Sequence, residues 1–383
     1  MHRARPRRHH VRGAHRRVSQ PTLALAVLVT SAATAAVAWS LQLRSAAVLL
    51  VLGLAYGFAF QRSRLCFASA FYGNRVLLRG ILLGLAVASV GSAAVVELGW
   101  NRPPRLPFGW HTLLGSFLFG FAMPFAGGCM TGTLYRLGTG QPKSLAAFLG
   151  ILVGNGLGAA YAWPVTERLM NWGLRFSLPE AVGLWPATAL NLSALAVLYW
   201  RLRPAHPEAA VASASPTPSL LRAPWPAWLG GLVVALLFTV QFAYHSALGI
   251  QLPLARFSLW AAQAAGASTD RLAWTQFWGA RLPALDPGFH LDAGLILGSL
   301  TAALVAGEFV GFSPWRLRDA AVGFVGGVVM GVAVWVALGC NVSGFWSAVA
   351  TLRVEGWLYA AGLYLGARTG LRAASSLVAL GVL

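Results

Sequence analysis

Long uncharged apolar runs constrain this chain more than any other feature. Residues 21–42, 144–163, 181–200 and 223–250 contain no Asp, Glu, Lys or Arg, and residues 80–96 form a shorter run of the same kind. About 20 apolar residues suffice to cross the hydrocarbon core of a bilayer. Charged residues make up only 10% of the chain, against about a quarter in a soluble domain, and the mean hydropathy is +0.65. Such a chain cannot cover a water-facing surface. Its partner is the lipid bilayer, and the fold class expected is an all-α polytopic membrane protein.

The net charge is +19, almost all from arginine, with Lys143 the single lysine. Seven arginines fall within residues 1–17. A basic tail can bind nucleic acid, but an apolar span follows at once. The positive-inside bias accounts for it better and places residues 1–20 in the cytoplasm. Arg16-Arg17, the apolar run and Ala36-Val37-Ala38 also resemble a cleaved secretory signal; the length of the run favours a retained first helix. Residues 201–225, rich in Pro, Ala and Ser, read as a linker. They divide the chain into a first transmembrane half, 21–200, and a second, 226–383.

The halves share a pattern. Shifted by 211 positions, Gly115, Gly120, Ala122, Ala126, Gly128 and Cys129 overlie Gly326, Gly331, Ala333, Ala337, Gly339 and Cys340. Two pseudo-symmetric halves are therefore expected, the plan of many transporters, with the site where the repeats meet. Cys66 has no cysteine partner in residues 251–290, where Trp260, Trp274 and Trp278 suit an interfacial segment or loop.

The stretch AMPFAGGCMTGTLYRLGTG, residues 122–140, interrupts an apolar helix. Backbone freed from the ladder at membrane depth costs several kcal/mol per group unless it faces protein or a watered cavity. Pro124, Gly127, Gly128 and Gly132 point to a discontinuous or re-entrant helix; a simple kink for close packing is the other reading, and is preferred for Gly115 and Gly120 alone. Free N–H groups at such a break form a ready anion site. Thr131, Thr133 and Arg136 follow Cys129; Asn341 and Ser343 follow Cys340. Two such breaks facing each other would make a polar central waist, with Gly128 and Gly339 bringing backbone up to the anion. If residues 61–71 are helical, Arg62, Cys66, Ser69 and Gly73 share one face. Arg62 then serves the anion or snorkels to the interface, and Arg64 points elsewhere.

A thiol is a weak donor with a soft, polarisable surface. An anion with its own sulfur or selenium gains from it; chloride or phosphate does not. Three cysteines without a CxxC pair exclude a disulfide framework and a structural zinc site. Scarce Met and positive surroundings argue against a copper path. No catalytic constellation, Walker motif, metal or cofactor site stands out.

The motifs GFAFQRSRLCFASAF, GFAMPFAGGCMTGTLYRLGTG and GGVVMGVAVWVALGCNVSGFWSA resemble the YeeE/YedE family of bacterial membrane transporters, the thiosulfate-uptake group. The resemblance implies that Cys66, Cys129 and Cys340 line a thiosulfate path in the inner membrane. It also implies a cytosolic sulfur-carrier partner of the TusA type. A membrane sulfurtransferase working through cysteine persulfides, or transport of a selenium compound, remains open. The long basic N-terminus and central linker depart from the family pattern.

Overall fold

The computed structural model describes residues 20–203, 219–268, 281–311 and 316–380. The arginine-rich tail, most of the 201–225 linker, Trp274 and Trp278 lie outside these. All regular elements among the described residues are helical, and eight helices are long and apolar enough to cross a membrane.

The order begins with α1 (Pro21–Ser40), α2 (Arg44–Ser63), the short α3 (Phe67–Phe71) and α4 (Arg75–Glu97). α5 (Trp110–Ala126) is followed by α6 (Met130–Gly138) and α7 (Pro142–Leu157). A π-turn, Gly158–Ala162, carries α7 into α8 (Trp163–Met170). α9 (Leu178–Val182) and α10 (Leu184–Arg201) close the first half. The second comprises α11 (Ala227–Tyr244), α12 (Gln251–Ala264), α13 (Pro287–Ala306), α14 (Leu317–Ala337), α15 (Ser347–Ala350) and α16 (Glu355–Ala379). Starts follow local chemistry: Asn74 accepts the Leu77 N–H, Asp286 accepts the Gly288 N–H, and proline opens α1, α7 and α13.

In lipid no hydrophobic force drives helices together, so backbones approach through small residues. An ideal Cβ on Gly53 would stand 3.0 Å from the Gly294 Cα, and α2 and α13 run side by side in the same direction. Gly115 lies against Ala337 and Gly326 against Ala126, so α5 and α14 are antiparallel. Gly120 lies against Leu363 and Ala367 of α16. For Gly115 and Gly120 the packing reading therefore holds. The antiparallel register sets the ends of α5 and α14 apart by 11 residues, or about 17 Å along the axis.

Both helices stop as the motifs required, and α2 stops the same way. Gly127 closes α5 with φ 83°, Leu338 closes α14 with φ 59°, and Arg64 closes α2 with φ 48°. Two residues later comes a cysteine in extended conformation that starts the next helix: Cys129 for α6, Cys340 for a π-turn (Asn341–Trp346), Cys66 for α3. Residues 61–71 are thus not one helix. The left-handed Arg64 breaks them, and the expected common face of Arg62, Cys66, Ser69 and Gly73 does not exist. In the second half α13, which runs parallel to α2, is closed by Gly307 with φ 68° and is followed by Glu308 and Phe309 where α2 has Leu65 and Cys66.

Candidate site at two helix breaks

The two broken strands of backbone bring the thiols together unequally. Cys66 and Cys129 share one pocket: an ideal Cβ on Gly132 would lie 3.4 Å from each sulfur. Glycine at 132 leaves that space free. The Cys129 sulfur accepts the Gly132 N–H at 3.3 Å, and its carbonyl accepts from the Thr133 hydroxyl at 3.1 Å. Cys340 stands at the second break. Its N–H donates to the Ser343 hydroxyl at 3.0 Å, and that hydroxyl lies 3.6 Å from the Cys340 sulfur. All three cysteines are free and buried.

Aromatic rings join the two breaks. Phe67, next to Cys66, meets Trp346 edge-on at 5.8 Å, and Phe71 meets Phe345 at 5.4 Å. The buried Tyr359 of α16 donates its hydroxyl to the Gly339 carbonyl at 3.2 Å.

Charge is distributed differently from the sequence expectation. Arg62 is buried, but its Nη2 is 2.5 Å from Glu308 and its Nη1 donates to the Arg222 carbonyl at 2.8 Å. Arg64 reaches the other Glu308 oxygen at 3.2 Å. A buried guanidinium needs such a partner, and here it ties the end of α2 to the linker and to the segment after α13. The arginine beside the thiols is Arg136 of α6. Its Nη1 donates to the Gly127 carbonyl, left without a helical partner by the break, and its Nη2 is 3.8 Å from the Cys66 sulfur. Sequence reading noted Arg136 but placed more weight on Arg62. Its position seven residues after Cys129, two turns along α6, was the available signal.

Polar groups at both breaks lack protein partners. Thr131 Oγ1 and both amide atoms of Asn341 are buried without one, as is Trp346 Nε1. Leaving such a group unsatisfied costs about 1–3 kcal/mol. Thr133 and Ser343, in contrast, use their hydroxyls on backbone.

Gly128 and Gly339 do not supply the left-handed turn; Gly127 and Leu338 do. They are small for another reason. A Cβ on Gly339 would lie 2.9 Å from the Gly344 backbone nitrogen, while one on Gly128 would lie 3.0 Å from the mobile end of Arg136. Backbone yields less readily than a guanidinium tip. Gly339→Ala is therefore expected to lower the monodisperse yield after detergent extraction. Gly128→Ala is expected to keep yield and lower uptake per folded molecule. Equal yields for the two variants would contradict this.

A family model described as sulphur transport matches residues 62–369. The thiosulfate transporter TsuA of Escherichia coli (strain K12) is 26% identical over 340 residues, covering 84% of this chain and 92% of that protein. TsuA of Spirochaeta thermophila is 27% identical over 344 residues, covering 83% and 95%. The probable transporter YedE of Escherichia coli (strain K12) is 34% identical over 119 residues, 30% and 29% of the two chains. A match spanning both helix breaks and all three cysteines decides the assignment: this chain belongs to the sulphur-transport family, the YeeE/YedE group of membrane transporters.

Proposed function

We propose that the protein is an inner-membrane permease that takes up thiosulfate, or a closely similar sulfur oxyanion, along a path lined by Cys340, Cys129 and Cys66. One observation carries this reading: at each break a buried thiol adjoins a buried polar side chain with no protein partner, Thr131 in one case and Asn341 in the other. An anion passing there meets N–H and O–H donors for its oxygens and a soft thiol for its terminal sulfur. Several weak contacts suit conduction, since one tight site would trap the ion. With residues 1–20 in the cytoplasm, Cys340 would lie towards the outside by the alternation of the helices. The Cys66–Cys129 pair then lies towards the inside, where a TusA-type carrier would collect the sulfur.

Uptake of thiosulfate labelled separately at its two sulfur atoms, into liposomes holding the purified full chain, tests this. Accumulation of both labels is the expected result. Entry of the terminal sulfur alone would replace the permease by a sulfur-transfer reading, which the Cys66–Cys129–Arg136 grouping would then serve.

Thr131→Val gives a finer check. Valine keeps the shape and removes the unsatisfied hydroxyl, so thermal stability in detergent should be unchanged or slightly higher. Uptake should fall about three- to tenfold, the scale of one hydrogen bond of about 1 kcal/mol. Undiminished uptake would remove Thr131 from the path.

A further inference from the structure

One ionisable side chain inside the bilayer has no use in the path described so far. Asp292 lies in α13, five residues or about 8 Å beyond its start. It is 2% exposed, and neither carboxylate oxygen has a hydrogen-bond partner. Among the described residues no cation is within ion-pair distance of it. A buried, unpaired carboxylate costs far more than a neutral carboxyl, so in this conformation Asp292 holds a proton. Ionisable residues within membrane helices mark proton relays and ion pathways; helix packing alone would be served by an apolar side chain of similar size.

The charged groups around it do not neutralise it. Asp286, whose charge acts on it most directly, is itself negative; it accepts the Gly288 N–H and pairs with Arg256 of α12 at 3.4 Å. His245 and Arg281 lie in the field of that pair. His290 is held by its Nδ1 on the Asp286 carbonyl. On α2, Arg44 lies over the Trp39 ring at one end and Arg62 is bound to Glu308 at the other, while Tyr56 between them has a buried hydroxyl without a partner. On α6, Arg136 is held by the Gly127 carbonyl. α1 has no titratable side chain.

Asp292 also sits between the two breaks. Gly288, Asp292, Leu295 and Ser299 follow at helical spacing on one face of α13. At the start of that face Gly288 abuts Pro253 of α12. The turn leading into α12 touches the second break: Gly249 lies against Ser343, and the Leu248 carbonyl accepts the Ser347 hydroxyl at 2.6 Å. Further along, Ser299 stands beside Gly138 of α6 and donates to the Tyr135 carbonyl. α6 is the helix that Cys129 starts. One helix face thus supports both breaks, with the lone carboxyl between them.

We propose that Asp292 is a proton-binding site that couples entry of the anion to entry of a proton. The proposal rests on the permease reading above. The carboxylate takes a proton from water when its surroundings open to the outside, and returns it to water when they open to the inside. One proton and one dianion then cross together, with no bond to sulfur formed or broken. A negative cell interior opposes entry of a dianion, and one accompanying proton halves the charge that must move against it.

The test uses the purified full chain in liposomes, with radiolabelled thiosulfate, a pH dye in the lumen and the potential clamped by potassium and valinomycin. At equal pH on both sides, exchange of external label for unlabelled internal thiosulfate measures passage alone. Making the outside more acidic by about one pH unit should raise accumulation about tenfold, because one proton is linked to one anion. The lumen should acidify only when thiosulfate is present. Asp292→Asn keeps the shape and cannot titrate. It should retain exchange near the wild-type rate and lose both the gradient effect and the acidification. Asp292→Glu keeps a titratable group and should retain both, with the pH of half-maximal driven uptake displaced. Gradient-driven uptake with acidification in Asp292→Asn overturns the assignment, and so does an undisplaced profile in Asp292→Glu. Loss of exchange in Asp292→Asn at normal yield also overturns it, since passage itself would then need the carboxyl. Wild-type exchange that ignores the pH gradient removes the coupling and leaves the permease standing. Absence of any exchange in the wild type removes the permease reading, and the coupling with it.

Discussion

Cys129→Ala and Cys340→Ala are each expected to lower thiosulfate uptake about tenfold or more while the protein reaches the membrane at its normal level. Tenfold corresponds to about 1.4 kcal/mol, within reach of one lost contact to a partly dehydrated anion. The two thiols sit at matched breaks, each two residues beyond a left-handed position and each starting the next helix. Cys340 has no second thiol beside it, and Cys129, although it shares its pocket with Cys66, is the sulfur that accepts the N–H of the restarted helix. Cys66→Ala should be milder, because Cys129 and Arg136 remain in the shared pocket. A structural role alone predicts otherwise. Truncating one small buried side chain costs on the order of 1 kcal/mol, which would lower yield slightly and leave uptake per folded molecule intact. Uptake normalised to membrane protein measures the difference. Near-normal values in both variants would remove the thiols from the path. Cys→Ser at either position adds a second readout: serine keeps a donor but loses the soft surface, and recovery of full uptake would show that hydrogen bonding, not polarisability, is what the anion uses.

How much of this was readable beforehand depends on the range of the interaction. The apolar runs forecast the membrane helices, because length and composition are local. The break at Gly127–Cys129 was readable too, from Pro124, the Gly-Gly pair and the polar residues after it together; the pair alone is no signal, because Gly230-Gly231 and Gly326-Gly327 lie inside unbroken helices and serve packing. The break at Leu338 was readable from Gly339-Cys340 and its match to the first; the one at Arg64 was not, because non-glycine residues rarely take left-handed backbone and nothing in the sequence marks it. That is why residues 61–71 read as one helix. The ion pair of Arg62 with Glu308 spans 246 positions, so Arg62 looked free to serve an anion when it is held by a carboxylate. The meeting of Cys66 with Cys129 around Gly132 is likewise a property of packing. The glycines along α2, α5, α13 and α14 mark where helices touch, but only the structure shows which helix each one faces.

Arg136 carries the second large expectation. It joins the unpaired Gly127 carbonyl to the Cys66–Cys129 pocket, so one guanidinium both holds the break open and brings positive charge to the thiols. Arg136→Met should abolish most uptake, by about tenfold or more, since the guanidinium beside the Cys66 sulfur is then gone and the remaining cation at the break, Lys143, lies against Gly127 rather than against the thiols. Arg136→Lys separates the two duties. Lysine keeps the charge but is a compact ammonium without the planar fork, and it cannot hold the carbonyl and face the sulfur at once. An intermediate uptake is expected. Gly128→Ala should act through the same group, because its added carbon would press on the guanidinium. The double variant Gly128→Ala with Arg136→Lys should then lose less than the sum of the two single losses, as coupled neighbours do. Additive losses would show that glycine 128 and the arginine act separately. Full uptake in Arg136→Met, at normal yield, would mean that no fixed cation is needed where the thiols meet.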